Sequence, residues 1–263
     1  MNTYGRAFLL VEGLMLFMLK LGSRRQVRFE LDSPEALENL NRLSGCRQDA
    51  VAHGDTLNHF LGHVPPAALQ RLRRAMVQRL IRMKALNDSR LFGHFLVVLD
   101  GTGQLYFREK HCEHCLTKTV DGKTQYYHHV LEAKLVTPEG LAISIGSEFI
   151  ENIVALGNRG GRCRWKIENE GFNIQKNGGF NLEHAYSTGE RQIKNFYVLL
   201  QIAHMILQLM ERGSLLGGDC KRMFGCIRNL ARRLAESLRN RLIPHEATNP
   251  AVAAGIQIRL DTS

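Results

Sequence analysis

The sequence of 263 residues has no internal repeat and no low-complexity stretch. Its first apolar run, at 7–19, contains Glu12 and Gly13 and is shorter than the roughly 20 residues of a membrane-spanning helix. The run leads into Lys20 and further basic residues, whereas a secretory signal ends in a small-residue cleavage site. We therefore expect a buried core helix here and no membrane partner.

Nucleotide-binding fingerprints and a disulfide framework are also missing. The glycine-rich stretch at 157–162 matches neither the P-loop nor the dinucleotide pattern. The six cysteines are irregularly spaced, and without a secretory signal they are expected to be reduced thiols. The sequence therefore predicts a cytoplasmic protein.

Acidic residues are outnumbered by basic ones, 25 to 35, which gives a net charge of +10. The excess is uneven: residues 1–99 carry +6, residues 100–210 are neutral and residues 211–263 carry +4. Basic flanks around a neutral middle are typical of an enzyme that binds nucleic acid and performs acidic chemistry at its centre. Solvated basic helix faces are the alternative explanation.

Several helices are predicted from end signals and apolar spacing. Residues 33–44 begin with a capping serine and a proline and stop at a glycine, and residues 67–87 carry an apolar stripe at helical spacing. Ser187 and Glu190 form a capping-box pattern for a long, nearly all-apolar helix. A basic helix is predicted at about 220–242.

The middle of the chain has the pattern of strands. Four strands are predicted, at 95–99, 104–108, 126–136 and 141–145. Gly101-Thr102-Gly103 is interpreted as a turn between the first two, and Val120-Asp121-Gly122-Lys123 as a hairpin turn. Strands that follow one another in this way favour an antiparallel meander.

Three residues stand out as candidates for chemistry. Asp100 ends an apolar strand, where a carboxylate is costly to bury unless it is paired or binds a metal. An ordinary turn aspartate is the alternative. In the segment Arg164-Trp165-Lys166-Ile167-Glu168, the guanidinium of Arg164 and the carboxylate of Glu168 are four residues apart and share one face of a predicted helix.

At these residues the chain resembles the DDE transposases of bacterial insertion sequences that carry a Tyr-x2-Arg-x3-Glu-x6-Lys signature. The resemblance covers about 15–150 and 162–212. It is carried by five segments, at 21–26, 99–103, 126–134, 164–173 and 181–186.

The resemblance implies an α/β fold with a ribonuclease-H-like core, in which an antiparallel meander and helices carry two aspartates and a glutamate that bind Mg²⁺ or Mn²⁺. Asp100 matches the first aspartate, Glu168 the glutamate and Arg164 the signature arginine, so Asp100 and Glu168 are the expected metal ligands. Two positions differ from the family signature: Gly161 stands at the tyrosine position and Gln175 at the lysine position.

The second aspartate of that family has no counterpart. It stands on a fourth strand after a crossover helix, which takes roughly 15–25 residues, whereas thirteen residues separate Ile150 from Arg164. Asp121 is the remaining aspartate between Asp100 and Glu168, and it belongs to the predicted hairpin turn. We therefore expect an internally shortened, incomplete core with little or no strand cleavage.

Three regions follow from this interpretation. Residues 1–92 form a basic helical region that contacts DNA, residues 93–212 the shortened core, and residues 213–263 a basic helix and tail. The resemblance implies that the partner is DNA, at the inverted-repeat ends of a mobile element, and it is compatible with a homodimer. A non-catalytic DNA-binding remnant is the alternative function.

A separate candidate site is the Cys-x2-Cys pattern of Cys112 and Cys115. His128 and His129 follow on the next strand, and because neighbouring strand residues point to opposite faces, at most one of them can join the thiols. Cys112, Cys115 and His128 are therefore a candidate Zn²⁺ site. A zinc-dependent binding module is a third interpretation, and an unliganded hairpin tip is the simpler explanation.

Overall fold

The computed structural model describes residues 4–138, 140–150, 172–184, 186–213, 223–249 and 255–260. The helices before the sheet are α1 (Arg6–Met18), α2 (Arg24–Leu31), α3 (Pro34–Ser44), α4 (Gly54–His63) and α5 (Pro66–Arg82). The strands are β1 (Leu96–Phe107), β2 (Leu116–Val120), β3 (Lys123–Val136) and β4 (Ala142–Ile150). The helices after the sheet are α6 (Asn173–Asn177), α7 (Glu190–Arg212) and α8 (Ile227–Asn240). Single 3₁₀ turns lie at Asn87–Ser89 and His245–Thr248.

The predicted helix at 33–44 is confirmed, together with its end signals. The Ser33 hydroxyl accepts a hydrogen bond from the backbone N–H of Ala36, and Gly45 ends the helix in the left-handed conformation, with φ of 64°. The predicted capping box of α7 is wrong. Its N-cap is Gly189, and Ser187, two positions before the N-cap, accepts a hydrogen bond from the Gly189 N–H instead.

Strand β3 is the centre of an antiparallel sheet. One of its edges pairs with β1, and the other pairs first with β2 and then with β4. The turn predicted at Gly101-Thr102-Gly103 is wrong, because β1 runs through it without interruption. Gly101 serves a different purpose: a side chain there would collide with Nε2 of His129, so the glycine permits a close cross-strand approach.

The predicted hairpin turn between β2 and β3 is confirmed. Val120 and Lys123 are paired, and the two residues between them, Asp121 and Gly122, have φ of 50° and 72°. Two positive φ values in a two-residue loop are the signature of a type I′ turn, whose twist matches that of the strands.

Helix α7 lies at the centre of the packing. It contacts α1, α4, α5 and β4, and its residues are buried on every side over most of its length. It is the one described helix long and apolar enough to cross a membrane, but 83% of its most apolar window is buried within the protein. Its apolar length is therefore explained by burial in the protein core.

The predicted core helix at 7–19 is confirmed as α1, in which Phe8, Leu16 and Phe17 are fully buried. The larger of two apolar clusters joins α1 to residues of the sheet, of α7 and of α8, and the smaller one joins α5 to the sheet and α7. The chain is thus mixed α/β with an antiparallel sheet. The last helix, predicted at 220–242, is found at Ile227–Asn240, with 214–222 outside the described residues.

Candidate metal centre and the surroundings of Asp100

Two thiols and two imidazoles come together beside the sheet. His111, Cys112 and Cys115 belong to the loop between β1 and β2, and His128 lies on β3. One ligand atom from each of the four side chains lies within 4.8 Å of every other. In the described part of the chain, this is the one group of His, Cys, Asp or Glu side chains arranged in this way.

The distances within the cluster match the edges of a metal-centred tetrahedron. Cys112 Sγ lies 3.5 Å from Cys115 Sγ and 3.5 Å from His128 Nε2, and Cys115 Sγ lies 4.0 Å from the same nitrogen. Zinc bond lengths give tetrahedral edges of about 3.8 Å between two sulfur atoms and about 3.6 Å between sulfur and nitrogen. These three ligand atoms are therefore already spaced for one ion.

His111 is held in the orientation of a metal ligand. Its Nδ1 lies 3.0 Å from the carbonyl oxygen of Thr188. Because a carbonyl oxygen can only accept, this nitrogen carries the ring proton and donates a hydrogen bond. Its Nε2 is buried and has no hydrogen-bond partner among the described residues. The ring packs against the rings of Phe107 and His128. The unprotonated nitrogen is thus left free for a fourth ligand position.

The β3 strand separates the two adjacent histidines as expected. His128 is 5% exposed and joins the thiols, whereas His129 lies on the other face, beside Gly101. Burial lowers the pKa of His128 to about 4, so the imidazole is neutral and its lone pair is available. Burial also raises the pKa of the Cys112 thiol to about 11. A metal bound here therefore has to displace the thiol proton.

Asp100 lies in the middle of β1, not at its end as the sequence predicted. Its Oδ1 accepts a hydrogen bond of 2.8 Å from the backbone N–H of Gly101. In the sheet register it stands directly opposite Glu132 of β3, so both carboxylates point to the same face.

Glu132 is fully occupied by other partners. Its Oε2 accepts hydrogen bonds of 2.7 Å from the hydroxyls of Ser147 and Tyr197, and its Oε1 accepts one from Ser144. Arg73 of α5 approaches Oε1 to 3.9 Å and donates to the Ser144 hydroxyl at 2.8 Å. The negative charge of this carboxylate is therefore balanced within the protein by the hydroxyl donors and the nearby guanidinium.

A buried ammonium group, that of Lys134, also belongs to this face of the sheet. Lys134 is fully buried, and in the sheet register it is paired with Val98, two residues before Asp100. Its Nζ lies 4.8 Å from the centre of the Phe172 ring. Burial lowers its pKa to about 8, while the Glu132 and Asp100 carboxylates act in the opposite direction. Among the described residues, Asp100 therefore has the Glu132 carboxylate opposite it in the sheet and the Lys134 ammonium group near enough to interact electrostatically.

The other predicted catalytic residues, Arg164 and Glu168, lie outside the described residues. Gln175, which occupies the position of the signature lysine, is fully buried, and its Nε2 lies 2.8 Å from both Gln201 Oε1 and His204 Nδ1 of α7. This position therefore belongs to the packing of α6 on α7.

The chain matches no protein-family model, no curated protein and no solved structure in the comparisons made with each. The assignment of a function accordingly depends on the residues themselves.

Sequence reasoning missed His111 as a member of the cluster and Glu132 as a buried charge. His111 directly precedes Cys112, and a histidine beside a Cys-x2-Cys pattern is the signal that could have identified it. Glu132 lies an even number of residues from His128 on the same strand, so period-two alternation places both on one face.

Proposed function

We propose that the chain is a DDE-type transposase descendant that binds the ends of a mobile element in the cytoplasm without cutting them. The proposal rests chiefly on Asp100, which faces the core from a long strand of an antiparallel sheet, as the first aspartate of a ribonuclease-H-like fold does. The absence of cleavage is inferred from the sequence, where Asp121 is the remaining aspartate between Asp100 and Glu168 and lies in the β2–β3 turn, so the chain lacks the second aspartate of that family. Without it, a pair of divalent ions loses a ligand and its charge balance.

Exposed arginines on two adjoining helices support DNA binding. Arg25 and Arg28 are exposed on α2, and Arg232 is exposed on α8. Helix α8 packs against α2, and an ion pair of 2.8 Å between Arg239 and Glu30 joins them. Two basic helices held together in this way offer several cations to a phosphate backbone. Inverted-repeat ends related by a two-fold axis would suit a homodimer.

DNA binding is tested with fragments from the borders of the gene. Fluorescence anisotropy should detect binding that weakens steeply with salt, and Arg28→Ala or Arg232→Ala should each reduce the dependence of log affinity on log salt by about one unit. Arg90→Ala is the matched control, because it removes one cation that stacks on Phe95, away from the two helices. Binding that is insensitive to salt, or equally weakened by the control, would contradict the proposal.

Cleavage is tested on the same fragments with Mg²⁺ or Mn²⁺. We expect intact DNA after incubation. Nicked or joined products would overturn the proposal that the core is inactive while leaving its origin unaffected.

A second candidate function, a zinc-dependent binding module, is favoured by the cluster of Cys112, Cys115 and His128. Thiolate and imidazole ligands suit Zn²⁺ and are unsuited to Mg²⁺. The two functions are distinguished by DNA binding after chelation of the metal. Full loss of binding would favour the zinc-dependent module, and retention would favour contact through α2 and α8.

A further inference from the structure

We propose that His111, Cys112, Cys115 and His128 bind one Zn²⁺ as a closed site that fastens the β1–β2 loop to the beginning of α7. This inference is independent of DNA binding. It adds His111 to the three candidate ligands and assigns the ion a structural role.

The four side chains complete a tetrahedral site. Two thiolates and two neutral imidazoles match the most common structural zinc sites in composition, and the measured separations of 3.5, 3.5 and 4.0 Å match the tetrahedral edges. Two thiolates also balance the charge of the ion, which makes its partial burial acceptable. Because all four positions are taken by protein atoms, no position is left for a reacting water, and the site is structural.

His111 connects the site to α7. Its Nδ1 donates to the carbonyl of Thr188, one residue before the N-cap Gly189. In the same loop, His114 Nε2 lies 3.9 Å from Glu190 Oε2, in the first turn of α7. A metal on Nε2 of His111 would therefore fix one imidazole between the ion and the start of the central helix.

The ligands come from two separate parts of the chain, the β1–β2 loop and β3, so one bound ion would join them. Twelve residues, including all of β2 and the hairpin, separate Cys115 from His128. Because the site is not formed in the unfolded chain, the binding free energy of the ion adds to the stability of the fold, and the ion holds the irregular residues between Phe107 and Leu116 against the sheet.

The test measures the metal on the full-length protein. The protein is prepared without affinity-tag histidines, stripped with a chelator and titrated with Zn²⁺ and Co²⁺. We expect one Zn²⁺ per chain, and with Co²⁺ we expect the thiolate charge-transfer and intense d–d absorption of a tetrahedral site. A stoichiometry well below one, or a six-coordinate Co²⁺ spectrum, would overturn the proposal.

Variants identify the ligands. Cys112→Ser and Cys115→Ser should each weaken Zn²⁺ binding by about 100-fold or more, and His111→Ala by at least about 10-fold. The controls are Cys46→Ser, which removes a thiol outside the site, and His114→Ala, which removes an imidazole from the same loop. An affinity for His111→Ala equal to that of the wild type would exclude His111 as the fourth ligand.

A variant with a different fourth ligand shows whether the weaker Zn²⁺ binding of His111→Ala is due to loss of a ligand or to misfolding. His111→Cys should keep one tetrahedral ion per chain and increase the thiolate-to-Co²⁺ charge-transfer intensity, because a third sulfur joins the ion. Its intensity remaining at the level of the wild type would contradict the assignment. The structural role is tested by thermal unfolding: at the same Zn²⁺ concentration, the melting temperature of the wild type should rise clearly more than that of Cys112→Ser.

Discussion

Asp100 of β1 and Glu132 of β3 stand directly opposite each other in the sheet, with both carboxylates on the face that packs against the core. They have different partners. Glu132 is fully buried and accepts from three hydroxyls beside the Arg73 guanidinium, whereas Asp100 accepts from the backbone N–H of Gly101. Glu132 is therefore committed to contacts within the protein, and it cannot bind a metal ion without breaking this network.

The buried Glu132 carboxylate and the buried Arg73 guanidinium should both contribute to the stability of the fold. We expect Glu132→Gln and Arg73→Met each to lower the free energy of unfolding by about 3–5 kcal/mol, because each removes one partner of a buried ion pair. The double variant should lose less than the sum of the two. Urea unfolding provides the measurement. Arg74→Met is the control, since this neighbouring side chain is exposed and its loss should cost less than about 0.5 kcal/mol. Additive losses would contradict direct coupling.

Asp100 should not act as a Mg²⁺ ligand in this chain. If the core is inactive, wild type and Asp100→Asn should show the same change in melting temperature when MgCl₂ or MnCl₂ is added, and neither should nick DNA. The measurement is thermal unfolding over a series of metal concentrations, with NaCl of equal ionic strength as the control. A stabilisation by Mn²⁺ that disappears in Asp100→Asn would show that Asp100 still binds a divalent ion.

Local signals in the sequence predicted local structure well. The cap of α3 depends on Ser33 and Gly45 alone, and the type I′ turn depends on Asp121 and Gly122 alone, so neighbouring residues were sufficient to identify them. The burial of α1 was also predictable, because its apolar run is too short to span a membrane and too apolar to face water.

Features that depend on distant partners were not predictable. Gly101 resembles a turn residue in sequence, but it accommodates His129 from the neighbouring strand. The role of His111 depends on Thr188, which follows it by 77 residues. Glu132 is identified as a committed carboxylate only when α5, β4 and α7 bring Arg73, Ser147 and Tyr197 to it.

The contact between α2 and α4 should depend on a glycine. A Cβ at Gly54 would lie 2.8 Å from the Cβ of Arg24 and 3.0 Å from its carbonyl oxygen, so the two helices would have to move apart. We expect Gly54→Ala to destabilise the fold by about 1–3 kcal/mol in urea unfolding. Gly146→Ala is the control, because its Cβ would make an ordinary contact of 3.5 Å with Ala133. Equal losses in the two variants would contradict steric crowding at Gly54.

Glu12 should make the fold less stable as the pH rises. It is buried in α1, and desolvation raises its pKa from 4.5 to about 8, against a smaller opposing effect of the nearby Ala52 backbone. Because the folded pKa lies above the unfolded one, the contribution of Glu12 is complete below about pH 4.5 and is lost progressively as the pH rises to about 8. The expected slope from this group approaches about 1.4 kcal/mol per pH unit inside that window. Glu12→Gln should remove this part of the slope in urea unfolding from pH 5 to 8, whereas Glu35→Gln, in the first turn of α3, should retain it. A wild-type slope that Glu12→Gln leaves unchanged would show that Glu12 is already ionised in the folded protein.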